Sequence, residues 1–259
     1  MVTSSSPGNA TRRGPGPPGT AAFLLDSGGV LVRPDGDLIA AAAAHVGIRI
    51  EPAHAVAAIH IADKLRDLGT DSHQPFAAHW AAATGCPLEP ALRLWSDILA
   101  DVPATRLWSD TNPEAVAFLK KLPHGVPRFV VTNSEGDAHH ELEQCGLRDL
   151  VDGVLDSTQV GICKPDPRIF EMAATAVGVP LERCLYVSDN LDGPRDGSVR
   201  QALYDPYRVY PDVSLLPVTE KVRDLRHLLP GRSHDSHSTQ GPGHRGLGLH
   251  RNTTVPKAT

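Results

Sequence analysis

Long apolar runs are missing from this sequence. No stretch approaches the roughly 18 consecutive apolar residues that a membrane-crossing helix requires, so no helical span is expected. Excess positive charge is missing too: 25 Lys and Arg stand against 30 Asp and Glu, for a formal net charge of −5. That balance gives no electrostatic footprint for nucleic acid. Cysteine is scarce, and Cys86, Cys145, Cys163 and Cys184 are scattered without a CxxC pair or the spacing of a metal centre. The N-terminal residues do not show the basic-then-apolar pattern of a secretory signal. Reduced thiols in a cytoplasmic protein are therefore the expectation. Internal repeats are also lacking.

What is present suffices for a sizeable core. Hydrophobic residues make up 41% of 259 positions, which suits one large α/β domain or a core domain with a small insert. Residues 1–20 and 231–259 are rich in Ser, Gly and Pro and are expected to be disordered tails. The second carries His234, His237, His244 and His250, whose irregular spacing favours a solvated tail over a metal site.

Between the tails, short apolar runs alternate with helical periodicity. The runs "AAFLLDS" (21–27), "RFVVTNS" (128–134), "VDGVLDS" (151–157), "RCLYVSD" (183–189) and the weaker "YRVY" (207–210) read as parallel strands covered on both faces. Helices are expected over "NPEAVAFLKKL", with Asn112 as N-cap and Pro113 in the first turn, and over "GDAHHELEQCGL" and "DPRIFEMAATAVG". Alternating β and α units imply a parallel, Rossmann-like sheet with right-handed crossovers.

One connection departs from this rhythm. About a hundred residues separate the first strand from the next, too many for a structureless loop. They are almost purely helical in pattern: "DLIAAAAAHVG", "PAHAVAAIHIADKLRDLG", "PFAAHWAAATG" and "EPALRLWSDILADV". The expected organisation is a core over residues 21–33 and 108–230, with a helical cap over 34–107 inserted after the first strand. Such an insert sits above the carboxyl ends of the strands, where open α/β sheets bind ligands.

Polar residues close the expected strands at that edge: Asp26, Thr132 with Asn133, and Asp189, joined by Lys164 in the loop "GICKPDPRIF". Each alone has an ordinary structural reading, as a turn residue, helix cap or surface lysine. Together, two carboxylates, a hydroxyl and a lysine suit a divalent cation held by oxygen ligands and a phosphate neutralised by the lysine.

The segments "FLLDSGGVL", "VVTNS", "VGICKPDPRIF" and "LYVSDN", in that order, resemble the four motifs of the haloacid dehalogenase-like hydrolase superfamily, whose members are mostly Mg²⁺-dependent phosphatases. The resemblance implies that Asp26 is the nucleophile forming an aspartyl-phosphate. It implies that Thr132, with the Asn133 backbone, holds the phosphoryl group and that Lys164 stabilises its charge. It also implies that Asp189, Asp26 and the backbone carbonyl of Gly28 hold Mg²⁺.

Two departures from the family pattern stand out. Its phosphatases usually carry aspartate at the position of Gly28, an acid/base role worth roughly 10²–10⁴-fold. The fourth motif usually has a second acid, whereas this chain has Ser188 before Asp189 and Gly193 and Pro194 after it. Asp192 is the expected substitute ligand.

Three readings of Gly28 compete. The first is a phosphatase of a small phosphorylated metabolite, such as a sugar phosphate or another substrate with a good leaving group. The second is a haloacid dehalogenase-type reaction, which needs no general acid. The third is a catalytically silent phosphate- or partner-binding protein. Phosphonate cleavage would need a cap lysine; the cap offers Lys64, which reads as part of a solvated helix face. Among other cap residues, Arg66 is the expected grip on a second anionic group. His60 and Trp80 read as core packing, while His73 and His79 are further polar candidates.

Overall fold

A computed structural model of the chain describes residues 19–67, 75–210 and 218–229. The expected tails therefore lie outside the described residues, apart from residues 19 and 20. Thr20, assigned above to a tail, is buried and accepts a hydrogen bond from Arg200.

The chain runs through β1 (Ala22–Leu25), β2 (Val32–Arg33) and four helices, α1 (Gly36–His45), α2 (Pro52–Asp67), α3 (Phe76–Thr84) and α4 (Leu88–Asp101). It continues through α5 (Ala104–Leu107), β3 (Asp110–Thr111), α6 (Pro113–Lys121), β4 (Arg128–Thr132), α7 (Ala138–Gln144), β5 (Gly153–Asp156) and α8 (Ser157–Val160). The last elements are α9 (Pro167–Val177), β6 (Cys184–Ser188), β7 (Arg200–Tyr204) and β8 (Glu220–Val222). No helix among the described residues is long and apolar enough to cross a membrane.

Six strands form one parallel sheet in the order β5-β4-β1-β6-β7-β8. β1 lies inside it, and all four of its residues are buried. Alternation along the strands divides the core into two layers. Phe23 and Leu25 face α6 and α7 through Phe118, Leu119 and Leu142. Ala22 and Leu24 face α9 through Ile169, Phe170 and Ala173. This two-sided burial is why the strands read as continuous apolar runs rather than alternating ones.

The fifth strand corrects the sequence reading. "YRVY" is not a strand: the Asp205 carboxylate accepts from Val209 N and Tyr210 N, and Arg208 takes a left-handed φ of 60°. These bonds close a turn that its β-prone composition does not reveal. The strand is instead the preceding "RQALY", in which polar Arg200 and Gln201 mask the pattern.

A second finding concerns the ends of the insert. The outgoing chain in β2 pairs antiparallel with the returning chain in β3, Val32 opposite Thr111 and Arg33 opposite Asp110. Two-residue strands are too short to leave a periodic signal. The ribbon is reinforced by the Arg33–Asp110 ion pair at 2.7 Å. Just beyond it, Asp35 caps α1 and accepts from Arg106 Nη1 at 2.6 Å.

Between the two strands, α1–α4 enclose a core of their own around Ile39, Ile59, Trp80, Leu94, Trp95 and Ile98. Trp95 meets Phe76 and Trp80 edge-on, with ring centroids 4.8 and 5.8 Å apart. Trp80 thus packs as the helical pattern predicts.

Asn112 joins ribbon, sheet and helix. Its side chain accepts from Glu114 N at 3.1 Å to cap α6, and its amide donates to Val30 O at 2.7 Å. Asn112→Ala removes both bonds and leaves a buried carbonyl without its donor. We expect a loss of about 2 kcal/mol, measured by urea denaturation.

Candidate active site

The parallel register brings the ends of β1, β4 and β6 to one edge. Asp26 follows β1, Thr132 ends β4, and Asp189 follows β6. Lys164, from the loop between α8 and α9, reaches into the same place, and all four side chains are buried.

Lys164 Nζ lies 2.8 Å from Asp26 Oδ2 and 2.7 Å from Asp192 Oδ2, and donates to the Tyr186 hydroxyl at 2.9 Å. Its backbone is clamped by the Asn133 side chain, whose Oδ1 accepts from Lys164 N at 2.8 Å and whose Nδ2 donates to Lys164 O at 3.1 Å. The Asn133 side chain thus positions the lysine, and the residue's backbone, the part expected at the phosphoryl group, takes no part in that clamp. Burial alone would lower the Lys164 pKa, but Asp26 and Asp192 outweigh it and raise it.

Asp26 is fixed on both oxygens. Oδ1 accepts from Ser27 N at 2.8 Å, and Oδ2 accepts from Ser188 Oγ at 3.0 Å as well as from Lys164. Burial pushes its carboxyl up to about 6 against the pull of Lys164, with Asp192 and Asp189 adding to the rise. Asp192, expected at the metal, has a different setting. Its Oδ1 accepts from Tyr186 OH at 3.0 Å and lies 2.9 Å from Ser188 Oγ, whose one proton it shares with Asp26, while Oδ2 faces Lys164. Ser188, the residue standing before Asp189, therefore links Asp26 to Asp192.

Asp189 brings the largest correction. Its Oδ2 accepts from Lys64 Nζ at 2.7 Å and lies 3.1 Å from His60 Nδ1. Lys64 also donates to Asn190 Oδ1 at 2.5 Å. Lys64 is only 3% exposed, not on a solvated helix face. His60 is buried as predicted, but its ring faces a carboxylate and stacks on Tyr207 at 5.0 Å rather than joining the insert's apolar core. The two residues are four apart on α2, so they share one face of the helix. Burial would raise the Asp189 pKa, yet Lys64 and His60 hold it well below the ordinary carboxylate range. Of the remaining insert residues, His79 is buried, while the Arg66 side chain and His73 lie outside the described residues.

The two adjacent glycines have different reasons. Gly29 has a φ of 78°, and a Cβ there would stand 2.1 Å from Asp189 Oδ2, so only glycine lets that carboxylate approach. Gly28 is not constrained in this way. A Cβ there would meet the Trp108 ring at 3.5 Å, an ordinary contact. The Trp108 indole covers the position where the family's aspartate would project. Nothing local in the sequence marks Trp108, which reaches Gly28 only because β2 and β3 pair.

A cavity of about 450 Å³ opens between these groups, lined by Asp26, Gly28, Trp108, Thr132, Lys164 and Asp189, and further out by Asp63, Glu135, Asp137 and Glu141. The oxygen donors of Asp26, Asp189 and the Gly28 carbonyl have the chemistry of a Mg²⁺ site. One observation favours the fit: Asp189 Oδ1 is buried and has no hydrogen-bond partner.

A carboxylate held at a parallel strand end by a buried lysine, beneath a helical insert, defines a class of α/β hydrolase. The family model described as haloacid dehalogenase-like hydrolase matches residues 20–193, and the chain belongs to that family. A Mycobacterium tuberculosis phosphatase is 38% identical over 86 residues, covering 31% of this chain and 40% of that protein. A phosphoserine phosphatase of Thermus thermophilus is 40% identical over 99 residues, covering 36% of this chain and 40% of that protein. The match thus spans less than half the length of either curated relative.

Solved structures share the fold. A dehalogenase with an intermediate complex superposes with a TM-score of 0.54 at 21% identity, covering 81% of this chain and 96% of that one. A hydrolase from Deinococcus radiodurans with bound phosphate and sodium gives 0.52 at 24% identity, covering 81% and 93%. A phosphatase from Thermococcus onnurineus gives 0.51 at 18% identity, covering 81% and 96%.

One carboxyl lining the cavity, that of Glu141, is shifted toward neutrality. Burial, reinforced by Asp137, Asp156 and Glu135, pushes the Glu141 carboxyl from 4.5 up to about 7. A raised carboxyl pKa means that the folded state binds the proton more tightly. Its stabilising effect is full below about pH 4.5 and is lost as pH rises through about 7. Glu141→Gln should flatten that decline, giving a variant more stable than the parent at pH 8, as read by thermal denaturation across a pH series.

Proposed function

We propose that the protein is a phosphatase that hydrolyses a small phosphorylated metabolite through an aspartyl-phosphate on Asp26, with Mg²⁺ as cofactor. The observation that carries this reading is the buried Lys164 ammonium, held 2.8 Å from Asp26 beside a cavity that Thr132 also lines. A dianionic phosphate approaching a carboxylate needs such compensation. Mg²⁺ held by Asp26, Asp189 and the Gly28 carbonyl would supply further positive charge against the phosphoryl oxygens.

The chain's own groups have defined tasks in this reading. Ser27 N, Ser188 Oγ and Lys164 Nζ fix the Asp26 carboxylate for attack on phosphorus. The bond from phosphorus to the ester oxygen breaks as the bond to Asp26 forms. Water then cleaves the aspartyl-phosphate, returning the carboxylate and releasing inorganic phosphate. Lys164 and Thr132 stabilise the charge on the phosphoryl oxygens throughout.

The departing oxygen lacks a carboxylic acid at position 28 and meets the apolar Trp108 ring. Substrates whose leaving groups need little protonation are therefore favoured, such as anomeric sugar phosphates or acyl phosphates. The described cysteines are all free, which agrees with the cytoplasmic setting we propose.

The second reading, dehalogenation, is favoured by one observation: there is no acid at position 28, and displacing halide from carbon needs none. Phosphonate cleavage gains Lys64 at the site, but the amine is engaged as an ammonium by Asp189 and is not free to attack a carbonyl.

The deciding experiment measures phosphate release with Mg²⁺ over anomeric, acyl and alkyl phosphates for the parent and for Asp26→Asn. We expect release from activated esters and its loss, by at least 10³-fold, in the variant. No release from any ester, together with halide release from 2-haloacids, would favour the second reading. Gly28→Asp combined with Trp108→Ala, which removes the ring over that position, should raise alkyl phosphate turnover by roughly 10-fold or more over Trp108→Ala alone, narrowing the gap to activated esters.

A further inference from the structure

We infer that Lys64 is a tethered cation that competes with the divalent metal for Asp189, and that the ammonium holds helix α2 against the core when no metal is bound. The inference rests on the proposed function in one respect: it takes Asp189 as a metal ligand.

The geometry is specific. Lys64 belongs to the insert and Asp189 to the core, 125 positions apart in the sequence, yet Nζ sits 2.7 Å from Oδ2. Both side chains are 4% exposed. The same ammonium takes Asn190 Oδ1 at 2.5 Å, and His60, one turn earlier on α2, faces the same carboxylate oxygen at 3.1 Å. Buried ammonium groups are stable only with a counter-charge, and buried carboxylates likewise. Lys64 and Asp189 supply each other's, so this pair anchors the insert to the catalytic edge of the sheet.

The other carboxylate oxygen, Oδ1, is buried without a hydrogen-bond partner. A divalent cation reaching Asp189 through Oδ1 meets a like charge already sharing the carboxylate, with little solvent to screen the repulsion. The two cations therefore oppose one another. Metal binding weakens the hold of Lys64, and Lys64 raises the metal concentration needed for occupancy.

Replacing Lys64 with an uncharged side chain of similar length should have two consequences. Without metal, Asp189 is left as a buried carboxylate lacking its main counter-charge, and the protein loses stability. With metal, the rival is gone and affinity increases. A lysine that merely packed the insert against the core would give the first effect without the second.

The test is calorimetric titration of the full chain with Mg²⁺ for the parent, Lys64→Met, Lys64→Arg and Asp189→Asn. We expect Lys64→Met to bind Mg²⁺ at least tenfold more tightly than the parent, Lys64→Arg to resemble the parent, and Asp189→Asn to lose binding. If Asp189→Asn loses binding while Lys64→Met binds no more tightly than the parent, the competition is overturned and the phosphatase reading is untouched. If Mg²⁺ still binds Asp189→Asn, the metal assignment itself fails, and the competition falls with it. Should Lys64→Met unfold without metal, thermal melts with and without saturating Mg²⁺ decide instead. The rise in Tm on adding Mg²⁺ should be larger for Lys64→Met than for the parent; an equal or smaller rise overturns the inference.

Discussion

Three carboxylates crowd one edge of one sheet, Asp26 and Asp189 buried and Asp192 half-buried, and the rest of the site is arranged around neutralising them. A carboxylate removed from water without a partner would give up its proton state or its place in the fold. Two ammonium groups answer the three charges from opposite sides: Lys164 comes from the core loop and bridges Asp26 to Asp192, while Lys64 descends from the insert onto Asp189. The neighbours exist to hold these pairs. Asn133 fixes the Lys164 backbone, Tyr186 and Ser188 satisfy Asp192, and the bare α-carbon of Gly29 gives Asp189 its room. Breaking any one pair exposes a buried charge, so each of these residues matters to folding as well as to chemistry.

The same charges link two units that otherwise pack independently. The insert encloses its own apolar core of Trp80, Trp95 and their neighbours, and the sheet encloses another on each face. The short β2–β3 ribbon ties them covalently and by hydrogen bonds at the neck. Lys64 and His60 add a second tie at the site itself, made of charge rather than apolar surface. Ties of this kind respond to ions and ligands, whereas buried apolar contacts do not.

The sequence makes part of this legible, and the dividing line is physical. Asp26, Thr132 and Asp189 are visible because each ends a short apolar run, and a parallel sheet gathers all such ends at one edge. Lys164 is visible because its loop falls between a clear strand pattern and a clear helical one. Lys64 and Trp108 are not, because their roles depend on partners 125 and 80 positions away that no local period encodes. A lysine at a helical position looks solvated until its counter-charge is known. β7 is hidden for another reason: Arg200 and Gln201 meet partners of their own, which lets polar residues occupy a buried strand. "YRVY" shows the reverse error, since β-prone side chains cannot resist a turn that a carboxylate closes from inside.

The charge balance bears on the competing readings of the site. Three carboxylates, Asp26, Asp189 and Asp192, face two ammonium groups, Lys164 and Lys64, in the cluster. A phosphate dianion entering that cluster would be repelled unless a further cation accompanied it, so the phosphatase reading requires the metal as a condition of binding as much as of rate. A haloacid carries a single negative charge and makes a smaller demand. The buried, unpartnered Asp189 Oδ1 is a ready place for the extra cation, and dehalogenation gives that atom no task. Burying an acceptor unsatisfied has a cost, and that cost is offset if a cation fills the position during turnover. The balance of charge and the orphaned Asp189 oxygen thus favour metal and phosphate together over either alone.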